Sequence, residues 1–247
     1  MSFKDHFSGH AARYAGARPD HPAALFAWLA GQCVGRDRAW DAACGNGQAA
    51  VALAAHFASV FATDPSAAQI EHALGHPRVS YRVERAEQCS LAAASVDLVT
   101  IAQALHWLEV EPFYREVRRV LKPRGVIAAW SYALMRITPA IDRLITHLHD
   151  ELLGPHWPAE RRHVLNGYRE IPFPFAPIAA PSFAMRHEWA LDRVLAYLGT
   201  WSAVPRCRQA TGRDPLADLL PALTAAWGSP QAPRHIEWPV SLKVGTV

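Results

Sequence analysis

Between residues 38 and 130, short apolar runs and helical patterns take turns along the chain, and this alternation is the strongest constraint the sequence imposes. Residues 38–42, 59–63, 79–84, 96–102 and 126–130 read as strands, and 22–33, 48–57, 66–74 and 111–121 as helices around and between them. Such alternation buries a parallel sheet between two helical layers. Right-handed crossovers then bring every strand's C-terminal end to one edge. Ligands of open sheets bind along that edge, so the residues just after each strand are where chemistry is expected. Residues 183–189 and 236–244 are two more strand candidates. The prediction is an α/β fold: a doubly wound, mostly parallel, seven-stranded sheet.

Proline divides the chain, with six before residue 131 and thirteen after it. The expected organisation is one domain in four stretches: an N-terminal helical segment (1–37), a ligand-binding core (38–130), an insert over the reaction site (131–182) and closing strands and helices (183–247). The run Ile171-Pro172-Phe173-Pro174-Phe175-Ala176-Pro177 is expected to stiffen that insert as a lid. Hydrophobic residues make up 51% and charged residues 19%, which excludes a mainly disordered chain. A net charge of +3 gives no basic stripe for nucleic acid. No apolar run reaches the roughly 18–20 residues of a membrane span. The first residues hold no apolar leader, and the four cysteines form no CxxC pair, so a cytoplasmic location is expected. His147-x-His149 points its rings to different helix faces, so no metal site is expected.

The strongest local signal is Asp41-Ala42-Ala43-Cys44-Gly45-Asn46-Gly47-Gln48, which closes the first strand and opens a helix. Glycines let the backbone turn sharply and approach a ligand, and the helix start offers unpaired N–H groups. Asp64 ends the second strand about twenty residues later, where a carboxylate takes both hydroxyls of a ribose. Loop and acid together suit an adenosine-type ligand. By themselves they leave open a nicotinamide-dependent reductase, a non-catalytic nucleotide-binding module, or a tight turn with no ligand.

The wider pattern resembles the class I S-adenosylmethionine-dependent methyltransferases. Asp41-x-x-x-Gly45-x-Gly47 resembles their first motif and Asp64 their ribose-binding acid. Arg85-Ala86-Glu87 is similar to the stretch beside the adenine. Asp97-Leu98-Val99, with Gln103-Ala104-Leu105-His106-Trp107, resembles the fourth strand and its loop. Val120-Leu121-Lys122-Pro123-Arg124-Gly125-Val126 resembles the turn into the fifth strand. Phe7, Tyr14 and Arg18-Pro19 resemble a segment found ahead of the core in small-molecule members. The tail, with Thr200-Trp201-Ser202-Ala203, is similar to proteins near the trans-aconitate methyltransferases. Two positions depart from the family: Ala43 stands where glycine is usual, and Arg85 where many members carry Asp.

The resemblance implies S-adenosyl-L-methionine as cofactor and methyl transfer to a small-molecule acceptor at a carboxylate or hydroxyl oxygen. It implies cofactor binding by Tyr14, Arg18, Asp41, Ala43, Gly45, Gly47, Asp64, Ala86, Glu87 and Gln103. The acceptor pocket is expected to be walled by His106, Trp107, Trp130, Tyr132 and Trp201. His106 is the one candidate catalytic residue, an imidazole titrating near pH 6.5 that takes a proton from a hydroxyl. A carboxylate acceptor would need no base, and His106 would then shape the pocket.

Overall fold

The computed structural model describes residues 18–247, and expectations for Phe7 and Tyr14 lie outside that range. Five parallel strands form the core sheet: β1 (Arg38–Ala42), β2 (Ser59–Asp64), β3 (Val79–Val83), β4 (Val96–Ala102) and β5 (Leu121–Tyr132). The C-terminal strand β8 (Arg234–Thr246) runs antiparallel beside β5. Strand order is β3-β2-β1-β4-β5-β8-β6, where β6 is Ala176–Pro177, with β7 (Phe183–Trp189) also on β8. The seven expected strands are therefore present. An eighth, β6, is only Ala176–Pro177 and pairs with Thr246 and Gly245 at the end of β8.

The buried pattern of each strand explains its place. From Ala39 to Ala42 in β1 and from Val96 to Ile101 in β4 every residue is buried. Strands covered on both faces show such continuous burial. On one face α1 (Ala23–Gln32) and α2 (Gln48–Leu53) bring Leu25, Phe26, Leu29 and Leu53 against Val60, Leu98 and Trp130. On the other, α4 (Val110–Val120) sets Phe113, Val117 and Val120 against Val99, Ile101 and Ile127. Glu111 in the first turn of α4 and Arg118 and Arg119 in its last turn suit the helix dipole.

Some boundaries moved for local reasons. The helix expected over 66–74 is α3 (Ala67–Glu71), capped by the Ser66 hydroxyl, because Leu74 turns away to donate to the Asn46 carbonyl at 2.9 Å. The helix expected over 48–57 stops at Leu53, where His56 bonds back to the Leu53 carbonyl in a tighter turn. The turn at 122–125 survives as a bulge inside β5: Val96 faces Leu121 but Leu98 faces Val126, with Arg124 at a φ of 63°.

Helices α5 (Pro139–His147), α6 (Arg161–Leu165), α7 (Leu191–Gly199), α8 (Ala203–Thr211) and α9 (Pro215–Trp227) fill the rest. Ile141, Ile145, Leu191, Leu198, Leu219 and Trp227 build their own apolar cluster with Met185 and Trp238 of the antiparallel strands. The Pro-rich run 171–177 is no lid over the sheet edge. Tyr114 of α4 donates to the Pro172 carbonyl at 2.9 Å, Arg118 to the Pro174 carbonyl at 2.6 Å, and Phe175 is buried against the same core. Among the described residues no helix is long and apolar enough to cross a membrane.

Candidate active site

A cleft of about 350 Å³ opens along the C-terminal edge of β1, β2, β3 and β4. Its floor is the loop after β1, where left-handed residues alternate: Ala43 at φ 52°, Gly45 at 55° and Gly47 at 84°. Ala43 thus adopts the conformation glycine favours, at a cost of roughly 1 kcal/mol. Gly45 lines the cleft and has open space above it: a Cβ there would have only Gln69 within 4 Å. Gly47 does not line the cleft. A Cβ at Gly47 would overlap the Tyr81 ring, so packing against β3 imposes that glycine.

Asp64 ties two strand ends together. One carboxylate oxygen accepts from the Gly45 N–H at 2.9 Å and the other from the Ser66 N–H at 2.9 Å. The side chain is almost buried yet lines the cleft. Asp41 lies beneath the loop, wholly buried and outside the cleft lining. Burial pushes its carboxyl up to about 7, against the lowering effect of the Thr100 hydroxyl, which donates to it at 2.8 Å.

After β3, Ala86 is buried in the cleft wall and Glu87 lines it. Glu87 accepts from the Glu109 N–H at 3.1 Å and pairs with Arg85 at 3.3 Å, and Arg85 also reaches Glu109 at 3.1 Å. The departure at Arg85 is therefore matched by two carboxylates at the rim. After β4, Gln103 sits at φ 55° and its amide clasps Tyr132, donating to that carbonyl at 2.8 Å and accepting from that N–H at 3.1 Å. Arg18 donates to the Tyr132 hydroxyl at 3.3 Å.

A smaller side pocket of about 50 Å³ joins the cleft along a seam of Arg18, Gln103, His106, Trp107 and Tyr132. Its inner wall includes Trp157, Arg161, Tyr197 and Trp201. His106 and Trp107 stand on a single 3₁₀ turn after β4 (Leu105–Trp107). The His106 Nδ1 is 3.0 Å from the Tyr168 hydroxyl. Burial, with the Arg161 and His163 charges, lowers the His106 imidazole to about 3. The expected titration near pH 6.5 is thus corrected: His106 is neutral across the physiological range.

Trp130 is a second correction. It is fully buried among the α1 and α2 side chains and lines neither pocket. The wall expected of it is His21, whose ring lies 5.4 Å from the indole and faces the cleft. The Trp130 Nε1–H points at His21 Nδ1 at 3.4 Å, which requires an unprotonated Nδ1, and burial lowers His21 to about 4. Tyr132 and Trp201 do line the side pocket.

Sequence reasoning missed His21, Tyr168 and Arg161. His21 precedes a helix with no periodic mark of its own. Tyr168 takes φ 61° inside the insert, which nothing in a Gly-Tyr pair announces. Arg161 had a faint signal, a cation close behind Trp157-Pro158. No group of three or more His, Cys, Asp or Glu is placed to hold a metal among the described residues.

Strand order, glycine loop and ribose-type acid at one sheet edge define a class I S-adenosylmethionine-dependent methyltransferase. The comparisons agree. Residues 40–129 match the family described as methyltransferase domain. A provisionally named methyltransferase of Dictyostelium discoideum is 31% identical over 229 residues, covering 91% of this chain and 87% of that protein. A solved structure provisionally assigned as a type II methyltransferase, from Anaeromyxobacter dehalogenans, is 47% identical with a TM-score of 0.88, covering 93% of this chain and 97% of that one. The ubiquinone/menaquinone biosynthesis C-methyltransferase of Rubrivivax gelatinosus is 41% identical over only 88 residues, 34% of this chain and 35% of that protein. The chain belongs to the methyltransferase family and is an S-adenosylmethionine-dependent enzyme.

The cleft fits that cofactor. Its length runs from Asp64 past Ala86 to Gln103, it is roomy above Gly45, and its polar groups sit at strand ends where an adenosine and an amino acid would lie. When bound, S-adenosylmethionine supplies an electrophilic methyl on a sulfonium sulfur.

Proposed function

We propose that this enzyme methylates an oxygen of a small-molecule acceptor held where the side pocket opens on the cleft. The observation that supports this reading is the seam itself: Gln103, His106, Trp107 and Tyr132 line both spaces, so one small molecule can reach from the aromatic pocket into the cleft.

In this reading Asp64, which lines the cleft at the end of β2, takes the ribose hydroxyls, and Gly45 lets the backbone approach the methionine half. Ala86 and Glu87 face the adenine edge. Gln103 sits near the amino group, and Arg18 is placed to pair a carboxylate of the ligand. Asp41 and Gly47 act from beneath, by shaping the loop. His106 is a positioning residue, held by Tyr168. A neutral imidazole that protonates only near pH 3 is a poor acceptor for a hydroxyl proton. The acceptor oxygen is then one that arrives ionised. The lid is the stretch 157–164 of the insert, which supplies Glu160 to the cleft and Trp157 and Arg161 to the side pocket.

The test is incubation of the pure protein with methyl-labelled S-adenosylmethionine and a deproteinised small-molecule extract. Label is expected in the small-molecule fraction as a base-labile ester. Label that appears only on added protein or nucleic acid would overturn the reading.

A further inference from the structure

We infer that Tyr168 is a positioning residue that fixes His106 as a hydrogen-bond donor at Nε2, so that the acceptor must bring an oxygen lone pair to that nitrogen. The inference deepens the reading above and rests on it.

The phenol hydrogen decides which imidazole nitrogen is bare. Tyr168 is fully buried, and among the described residues His106 Nδ1, at 3.0 Å, is the one hydrogen-bond acceptor its hydroxyl meets. The hydroxyl keeps its hydrogen, because burial pushes the phenol well above the ordinary tyrosine range. The Leu105 backbone N–H faces the same oxygen as a donor. A buried hydroxyl places its hydrogen on an acceptor, so the hydrogen goes to Nδ1. A neutral imidazole whose Nδ1 is bare carries its own hydrogen on Nε2. The two nitrogens of the ring diverge, so Nδ1 held from the protein side turns Nε2 outward. His106 lines both the cleft and the side pocket, and among the described residues no second hydrogen bond reaches its ring. Nε2 is not one of the buried polar atoms left without a partner, so it borders the open space of the seam.

The backbone holds the phenol in place. Tyr168 takes φ 61° directly after Gly167 at 63°, and a Cβ on Gly167 would overlap the Ser241 hydroxyl. The Tyr168 N–H anchors the turn on the His163 carbonyl at 2.7 Å. A left-handed aromatic residue is strained and persists only where its surroundings fix it, and such strain gathers at ligand sites. The chemistry follows from the donor. Nε2–H takes one lone pair of an acceptor oxygen and leaves another for the methyl carbon. One C–O bond then forms as one C–S bond breaks with its pair left on sulfur, and the imidazole neither gains nor loses a proton. An ammonium group has no lone pair to offer and turns its own hydrogens toward Nε2–H, so it is refused.

The experiment takes protein labelled with nitrogen-15 histidine and saturated with S-adenosylhomocysteine, and reads the imidazole nitrogens by proton–nitrogen correlation spectra at pH 6 and pH 8. His106→Gln locates the His106 signals by their loss. The expected signature is a bare, hydrogen-bonded Nδ1 and a protonated Nε2 at both pH values, with the Nδ1 signal displaced in Tyr168→Phe. A proton on Nδ1 in the parent, or an Nδ1 signal that Tyr168→Phe leaves in place, overturns the inference alone. Should Tyr168→Phe fail to fold, the parent spectrum still decides the tautomer. The labelled-extract assay described above reads the consequence. His106→Asn is expected to raise the half-saturating extract concentration ~10-fold or more, with kcat falling less, as loss of a hydrogen bond to a charged oxygen requires. His106→Gln, whose longer amide can set an N–H near the Nε2 position, is expected to recover part of that loss. Equal losses in the Gln and Asn variants overturn the inference, and label found only on protein or nucleic acid takes down the reading beneath it as well.

Discussion

The two halves of the site are built in different ways. The cleft is made by consecutive strand ends, and its parts are locked by backbone geometry: Gly45 and Ser66 donate to Asp64, and Gln103 clasps Tyr132. The side pocket is made by residues far apart in the chain, with Trp157 and Arg161 from the insert meeting Trp201 from the tail and His106 from the core. Topology alone dictates the first, because parallel crossovers must bring those loops together. Only packing dictates the second. A cofactor common to a family suits the first construction, and an acceptor that differs between members suits the second.

Substitutions can break this contrast, the strongest first. Trp130→Ala removes a fully buried indole from under His21, so a loss of about 3–5 kcal/mol is expected in urea melts. An unchanged midpoint, together with loss of acceptor binding alone, would return Trp130 to the pocket wall. Asp64→Ala releases the Gly45 and Ser66 amides and removes the carboxylate proposed to take the ribose. Calorimetry should show S-adenosylhomocysteine binding weaker by ~1–3 kcal/mol. An unchanged affinity would take Asp64 out of the cofactor site.

Acid pH tests the seam. His106 and His21 have folded pKa values of about 3 and about 4, below the ordinary 6.5. The unfolded chain therefore binds protons first, and the stability these neutral rings confer is full above about pH 6.5 and is lost as pH falls toward 4 and 3. His106→Asn should flatten that decline in a melting-temperature series. It should raise KM more than it lowers kcat, and the parent's kcat should show no limb near pH 6.5. A limb there that the variant abolishes would restore His106 as a base.

Asp41 has the opposite sign. Its folded pKa, raised to about 7, exceeds the ordinary 3.8, so its contribution is full below about pH 3.8 and is lost as pH rises through 7. Asp41→Asn should therefore raise the melting temperature at pH 8 more than at pH 4. The smallest effect is expected at Ala43. Ala43→Gly relieves a left-handed alanine at φ 52°, but it adds freedom to the unfolded chain. A net gain of about 0.5 kcal/mol is expected in denaturant melts, with cofactor affinity unchanged. A net loss would mean that the alanine methyl packs usefully under the ligand.

How much of this was legible depended on the range of the interaction. The five core strands were readable because each is a short apolar or alternating segment set between helical patterns, and Asp64 was readable because it ends one of them. The Pro-rich run at 171–177 was misread because proline content reports a stiff backbone and not where it docks. Tyr114 and Arg118 of α4 decide that by binding its carbonyls.

Local periodicity and a crossover rule of fixed hand were enough to read from the sequence the sheet, the edge that carries the cleft, and Gly45 and Asp64, which meet there. Tertiary structure alone decided that Trp130 is core and His21 wall, that His106 is neutral, and that Arg161 reaches the same pocket as Arg18. Burial and the approach of distant segments are properties of the packed whole, and a pKa or a pocket wall has no value until the surrounding side chains have replaced water.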